Sequence, residues 1–254
     1  MALYLGTEKV SLVNDAGAYK KGYEKGKEDG VAEGVEAGKK AEYDKFWDIH
    51  QNYGNRSAYN YAFSYGWTNE NFKPKYDLRP TGDYGANQMF AFSEYNLDLA
   101  AGLAHNGVSL DLSQATRWNS IFDRSNVINI PPLDAKSCTA MAMAFYNNSK
   151  ITSLTINNIR EDCTFDRTFN YMYNLTDLNI TGVIGNNITF LGCRMLSKAS
   201  ITGIINALST TKSGCSLVLN TTAVANAFGS TTADEWTALK GTRPNWTITL
   251  SDEL

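Results

Sequence analysis

Two stretches decide the fold: Ala144-Phe145-Tyr146-Asn147-Asn148-Ser149-Lys150-Ile151-Thr152-Ser153-Leu154-Thr155-Ile156 and Thr168-Phe169-Asn170-Tyr171-Met172-Tyr173-Asn174-Leu175-Thr176-Asp177-Leu178-Asn179-Ile180. Set 24 residues apart, their apolar positions coincide: Phe145 with Phe169, Ile151 with Leu175, Leu154 with Leu178 and Ile156 with Ile180. A contracted copy precedes them, with Leu110 and Leu112, then Ile121-Phe122 through to Ile128 and Ile130. A degenerate copy follows, carrying Phe190 and Leu196. The Leu-x-Ile pair alternates in and out, as in a short strand with one buried face. The Phe falls on the return segment and points inward. No single copy can bury its own apolar face, so the copies are expected to stack, their strands forming a parallel ladder. Asn, Ser and Thr supply the bends.

Upstream, Gly22, Gly26, Gly30, Gly34 and Gly38 fall four apart, with Tyr19, Tyr23, Val31, Val35, Tyr43 and Trp47 in a neighbouring register. Read as a helix, residues 18–50 present a glycine stripe beside an apolar one, with Glu24, Lys25, Glu28, Asp29, Glu33 and Glu36 between. Each interior Gly costs about 0.8–1 kcal/mol against Ala, so close approach of a partner helix is the expected compensation. The stretch is read as an oligomerisation helix, with a flexible charged linker as its alternative. Residues 1–17 are read as an attachment segment. Residues 51–107 are aromatic and loop-rich, with a helical run over Ala86–Leu103, and are read as a cap. Residues 108–254 form the repeat head. Its end is expected to hold helices over Ile201–Leu208, Thr222–Phe228 and Ala233–Lys240, and strands over Ser216–Leu219 and Trp246–Leu250. Thr232 or Asp234 would cap the last helix and Gly241 would end it.

Composition narrows the function classes. Charged residues make up 19% of the 254 residues and aromatics 12%, against roughly 25% charged in ordinary soluble domains. A net charge of −3 and a pI near 5.5 argue against binding nucleic acid by phosphate neutralisation. Two histidines, His50 and His105, leave little for His-based metal or acid–base chemistry. The four cysteines, Cys138, Cys163, Cys193 and Cys215, form no CxxC and are read as buried free thiols, with pairing left open. The opening Met1–Val13 has no basic n-region and no apolar stretch of signal-peptide length, and no run of about 18 apolar residues suggests a membrane span. No cofactor, metal site or membrane insertion is expected.

No Walker loop, dinucleotide fingerprint, Gly-x-Ser-x-Gly or His-Glu-x-x-His occurs. Glu161, Asp162 and Asp166 are close enough in sequence to evoke a glycosidase pair, but nothing favours that over solvated loop charge. The better reading is non-catalytic binding. Outward strand positions Asp111, Asn129, Thr155 and Asn179 would offer polar groups. The loop aromatics Trp118, Tyr146, Tyr171 and Tyr173 would stack on sugar rings or anchor a protein, unless they pack between copies.

The arrangement Ala144-Phe145…Ile151…Leu154-Thr155-Ile156, with Leu110-Asp111-Leu112-Ser113…Ile121-Phe122 and Leu133-Asp134…Met141…Phe145, resembles the BspA-type leucine-rich repeat over about residues 108–196. The resemblance implies an α/β repeat fold, a leucine-rich-repeat-like solenoid with a parallel strand ladder, here preceded by an N-terminal helical stalk. It implies an adhesive role on a bacterial surface. The Met-Ala-Leu-Tyr-Leu-Gly opening and the glycine-spaced stretch are similar to phage or prophage tail-tip and tail-fibre proteins, which need no signal peptide. The expectation is a virion protein of the phage tail, a homo-oligomer (a trimer) in contact with other tail proteins and with a bacterial surface protein or polysaccharide. The alternatives are a bacterial surface or scaffold interaction protein and a glycan-degrading enzyme.

Overall fold

The computed structural model describes residues 2–5, 8–11, 62–63, 67–93 and 95–252. The glycine-spaced stretch 18–50, with Gly22, Gly26, Gly30, Gly34 and Gly38, lies outside the described residues. Strands β1 (Ala2–Leu5) and β2 (Glu8–Ser11) pair antiparallel. Two-residue strands follow: β3 (Thr81–Gly82), β4 (Leu97–Asp98), β5 (Gln114–Ala115), β6 (Val127–Ile128) and β7 (Leu133–Asp134), with helix α1 (Leu99–Ala104) after β4. The longer strands β8 (Ser153–Ile159) and β9 (Asp177–Gly182) come next, then β10 (Ile188–Thr189). The chain ends with α2 (Lys198–Ala207), β11 (Cys215–Asn220), α3 (Thr221–Phe228), α4 (Asp234–Gly241) and β12 (Trp246–Ser251).

The two quoted copies align in space as they do in sequence. β8 and β9 run parallel with Leu154 opposite Leu178 and Ile156 opposite Ile180, and all four side chains are buried. The alternation that predicts a half-buried strand is therefore met there. A bulge at Asn158 (φ 59°) then shifts the register, and Gly182 (φ 102°) pairs with Ile159. A Cβ on Gly182 would lie 2.2 Å from the Ile159 carbonyl oxygen, so this crossing needs glycine.

Between strands the chain passes through overlapping turns. In 118–125 the N–H groups of Ile121, Asp123 and Ser125 close back on the carbonyls of Trp118, Ser120 and Phe122. The alternate N–H groups, of Trp118, Ser120, Phe122 and Arg124, donate forward to the carbonyls of Ala140, Ala142, Ala144 and Tyr146 at 2.7–2.9 Å. Residues 141–147 donate in the same way to 164–170, and 88–92 to 119–123. The pattern requires left-handed backbone at regular places: Gln88 and Phe92, Ser120 and Arg124, Met143 and Asn147, Arg167 and Tyr171, with φ between 50° and 66°. Such a conformation costs a non-glycine residue about 1–2 kcal/mol, offset here by backbone bonds made both within a layer and to the next.

Midway between each left-handed pair sits a phenylalanine. Phe63, Phe90, Phe122, Phe145, Phe169 and Phe190 form a column with successive centroids 5.0, 5.2, 5.5, 5.7 and 5.0 Å apart and ring planes within 23° of parallel. Each stacked pair adds roughly 0.5–1.5 kcal/mol beyond area burial. Trp67 and Phe72 meet Phe63 edge-on at one end. The core runs unbroken across residues 107 and 108, since Phe90 stacks on Phe122 and Leu78 bridges to Leu110.

The expected leucine-rich-repeat-like solenoid is not what forms. Parallel pairing among the described residues is confined to four small, separate sheets, β3-β5, β4-β6, β7-β8-β9 and β10-β11-β12, with isolated bridges between them. The apolar alternation is carried by full-length strands only at β8, β9, β11 and β12. In β3 to β7 and in β10 the turns leave two extended residues, too few to join one sheet to the next. The helix expected over Ala86–Leu103 is likewise corrected: residues 84–92 are consecutive turns, and only Leu99–Ala104 is helical, with Asp98 accepting from the Ala101 N–H. In α1, Gly102 has the Phe72 ring where a Cβ would stand, at 2.3 Å.

At the C-terminal end α2, β11, α3, α4 and β12 occupy the places expected. α2 packs Ile201, Ile204 and Ile205 inward and lies against β9. α3 starts on the Asn220 side chain and ends at Gly229 (φ 82°). α4 departs from the expectation: its N-cap is Ala233, with no side-chain cap bond, and the helix includes Gly241 and closes on Thr242. Two acids in its first turn and Lys240 in its last complement its dipole instead. No helix among the described residues is long and apolar enough to cross a membrane.

Candidate functional site

The layered turns set the position of every side chain along one edge. Two residues after each column phenylalanine from Phe90 to Phe190 comes a left-handed position, occupied by Phe92, Arg124, Asn147, Tyr171 and Gly192. In that conformation the side chain turns away from the column. Tyr146, Tyr173 and Arg194 flank the same positions. Together they build a continuous row: the Arg124 guanidinium lies 5.8 Å from the Phe92 ring and 5.6 Å from Tyr146, Tyr146 meets Tyr171 at 5.3 Å nearly perpendicular, Tyr171 lies 6.1 Å from Tyr173, and Arg194 sits 5.2 Å over Tyr173. The rings are half-buried and both arginines exposed.

Gly192 shapes this row. With φ 78°, a Cβ there would lie 3.0–3.2 Å from Tyr171 and Tyr173 atoms, so the absence of a side chain lets both rings close over the turn. Behind the row, Asp123 is 5% exposed, with one carboxylate oxygen unbonded and Arg124 Nε 3.8 Å away. Burial raises its pKa, against a smaller opposing effect from Arg124.

The sequence-predicted binding residues separate into three groups. Tyr146, Tyr171 and Tyr173 come together in the row. Asp111, Asn129, Thr155 and Asn179 lie on the strand side: Thr155 and Asn179 are opposite one another on β8 and β9. Asn129 donates to Asp98 at 2.7 Å and borders a shallow cleft of about 280 Å³ with Lys150 and Thr152. Asp111 accepts from the Ser113 N–H at 3.0 Å, and bonds from Ser113 hold its carboxyl below the usual carboxylate range. Among the described residues no hydrogen bond or ring contact joins this group to the tyrosines. Trp118 belongs to neither group. It is fully buried, its indole N–H without a partner, and so serves as packing and not as a loop aromatic open to a ligand.

Reading by residue type missed Arg124, Arg194, Phe92 and Gly192. A signal was present: aligned on the column phenylalanines, Phe92, Arg124, Tyr171 and Gly192 share one place in their copies. Of the 161–166 carboxylates, Glu161 and Asp162 are engaged by neighbouring side chains. Glu161 accepts from the Ser209 and Thr211 hydroxyls at 2.6 and 3.0 Å, which lower its pKa. Asp162 is held by Arg160 at 2.7 Å, and Arg160 lowers its pKa too. A general acid needs the opposite shift. The four cysteines are free thiols, and no cluster of three or more metal-ligating side chains occurs among the described residues. Comparison with family models, with curated proteins and with solved structures gives no match in any of the three.

Proposed function

We propose that this chain is a non-catalytic receptor-binding protein of a phage tail, one that holds a bacterial host surface through the Phe92–Arg194 row and assembles as an oligomer through residues 18–50. The row is the observation that carries the reading. Its rings lie outside the phenylalanine column, so folding alone gives no reason for four aromatics and two arginines to follow one another along a single edge. Tyrosine and arginine are the side chains that most often dominate recognition surfaces, because both bring large, stiff contact area and a polar edge. The left-handed turns fix that surface in advance, which reduces the ordering cost of binding.

The test is binding of labelled full-length chain to intact bacteria of the kind whose genome carries the gene, with neighbouring tail and lysis genes as the parallel observation. Binding is expected, and the double variant Tyr146→Ser, Tyr173→Ser is expected to lose it while keeping its far-UV spectrum. Binding undiminished in the double variant would remove the row from the reading. Neighbouring genes for cell-envelope anchoring, with the protein found on the producing cell, would replace the virion reading with that of a bacterial surface interaction protein.

A further inference from the structure

We infer that the row takes an extended anionic glycan, with sugar rings packed along the exposed parts of the tyrosines and the acidic substituents on Arg124 and Arg194. This rests on the reading of the row as the contact surface and goes further by naming the chemistry of its ligand. Three observations carry it. First, each arginine lies over an aromatic face, Arg124 between Phe92 and Tyr146 and Arg194 over Tyr173. A guanidinium held beside a ring in this way still has N–H groups that match the two oxygens of a carboxylate or phosphate.

Second, the positive charge is available. Arg194 is exposed and, among the described residues, has no carboxylate partner and no hydrogen bond through its guanidinium. Among the described residues Arg124 is opposed only by Asp123, at 3.8 Å and through Nε, not through its terminal nitrogens. Third, the groups are placed in file. Successive members are 5.8, 5.6, 5.3, 6.1 and 5.2 Å apart, steps on the scale of one sugar ring, with a cation near each end and tyrosines between. A compact ligand would need these groups to converge on a point, whereas a linear polymer meets them in order. A single-stranded nucleic acid would use similar rings but wants a basic groove along its backbone. Two arginines on a chain of net charge −3 do not supply one.

The acidic group has two sources, a uronic acid or a phosphodiester between sugars or polyols. Titration of the full-length chain with polygalacturonate and with poly(glycerol phosphate) distinguishes them, with dextran and an oligothymidylate as controls. At least one acidic polymer is expected to bind, and to bind more tightly than dextran or the oligonucleotide. Arg194→Gln is expected to weaken that binding about tenfold, the size of one lost charge-assisted contact, and Arg194→Lys to recover only part of it. Dextran bound as tightly as the acidic polymers, or Arg194→Gln without effect on them, overturns the anionic inference. If in that case the Tyr146→Ser, Tyr173→Ser variant still loses cell binding, the receptor-binding reading survives. If the oligonucleotide binds best, the glycan assignment fails.

Discussion

Asp123 shows what the layered turns demand of a single residue. Its backbone serves the turn pattern twice, through an N–H closing on Ser120 and a carbonyl accepting from Phe92. Its side chain gains little in return, being buried with an unbonded oxygen. Because burial raises its folded pKa above the usual 3.8, the folded state holds this proton to higher pH than the unfolded chain does. Its contribution to stability is therefore full below about pH 4 and declines as pH rises through the raised value. Asp77, Asp111, Glu161 and Asp162 shift the other way, so the molecule as a whole should still weaken in acid. Asp123→Asn isolates this one contribution. The variant should be at least as stable as the parent at pH 7, and the parent should gain on it as pH falls towards 4. Thermal melts of both proteins across pH 3.5–7.5 measure this, and a constant difference between them would contradict the burial argument.

At the scale of elements, the most informative junction joins α2 to β9. Ser197 caps the helix and its own N–H donates to the Thr176 carbonyl at 2.9 Å. Ser200 does more: its hydroxyl donates to that same carbonyl at 3.0 Å and accepts from the Leu178 N–H at 2.8 Å, taking the place of the neighbouring strand that β9 lacks on this side. Ser200→Ala leaves a buried N–H without a partner, at about 1–3 kcal/mol, whereas Asn220→Ala at the start of α3 removes only a cap, at about 1 kcal/mol. Urea denaturation should rank them in that order, and equal costs would show that the hydroxyl is not what closes the sheet edge. The sequence showed that Leu154 and Ile156 answer Leu178 and Ile180, because a period-2 pattern over several residues has one register that buries it. It did not show where the ladder stops. That depends on hydroxyls such as that of Ser200, and on strands two residues long, whose pattern is too short to read. The site divided in the same way. Tyrosines are conspicuous as residue types, but Arg124 and Arg194 gain their meaning from rings in adjacent layers, and those distances exist only after stacking.

For the whole molecule, the question is whether sheets that are separate as hydrogen-bonded units are also separate as folding units. The buried side chains say otherwise. One apolar cluster extends from Phe63 to Trp246 and contains the entire phenylalanine column, so each layer's core residues are also its neighbour's. Removing a central ring should therefore weaken the ends. Phe145 stacks on Phe122 on one side and on Phe169 on the other, and Phe145→Ala should cost about 3–5 kcal/mol. The cysteines provide the readout. Cys138, Cys163 and Cys193 are buried free thiols in successive parts of the chain. Burial pushes the Cys193 thiol up to about 12, and the neighbouring Cys138 thiol together with burial pushes Cys163 up as well, which suppresses the reactive thiolate in the folded state. Mass-resolved thiol labelling across a urea series should find all three protected in the native protein and released at one common midpoint. Phe145→Ala should move that midpoint down for all three by the same amount, including Cys193, which lies beyond the substituted layer. Release of Cys138 and Cys163 at lower urea than Cys193 would mean that the column fails locally, and that the separate sheets mark the real units of stability.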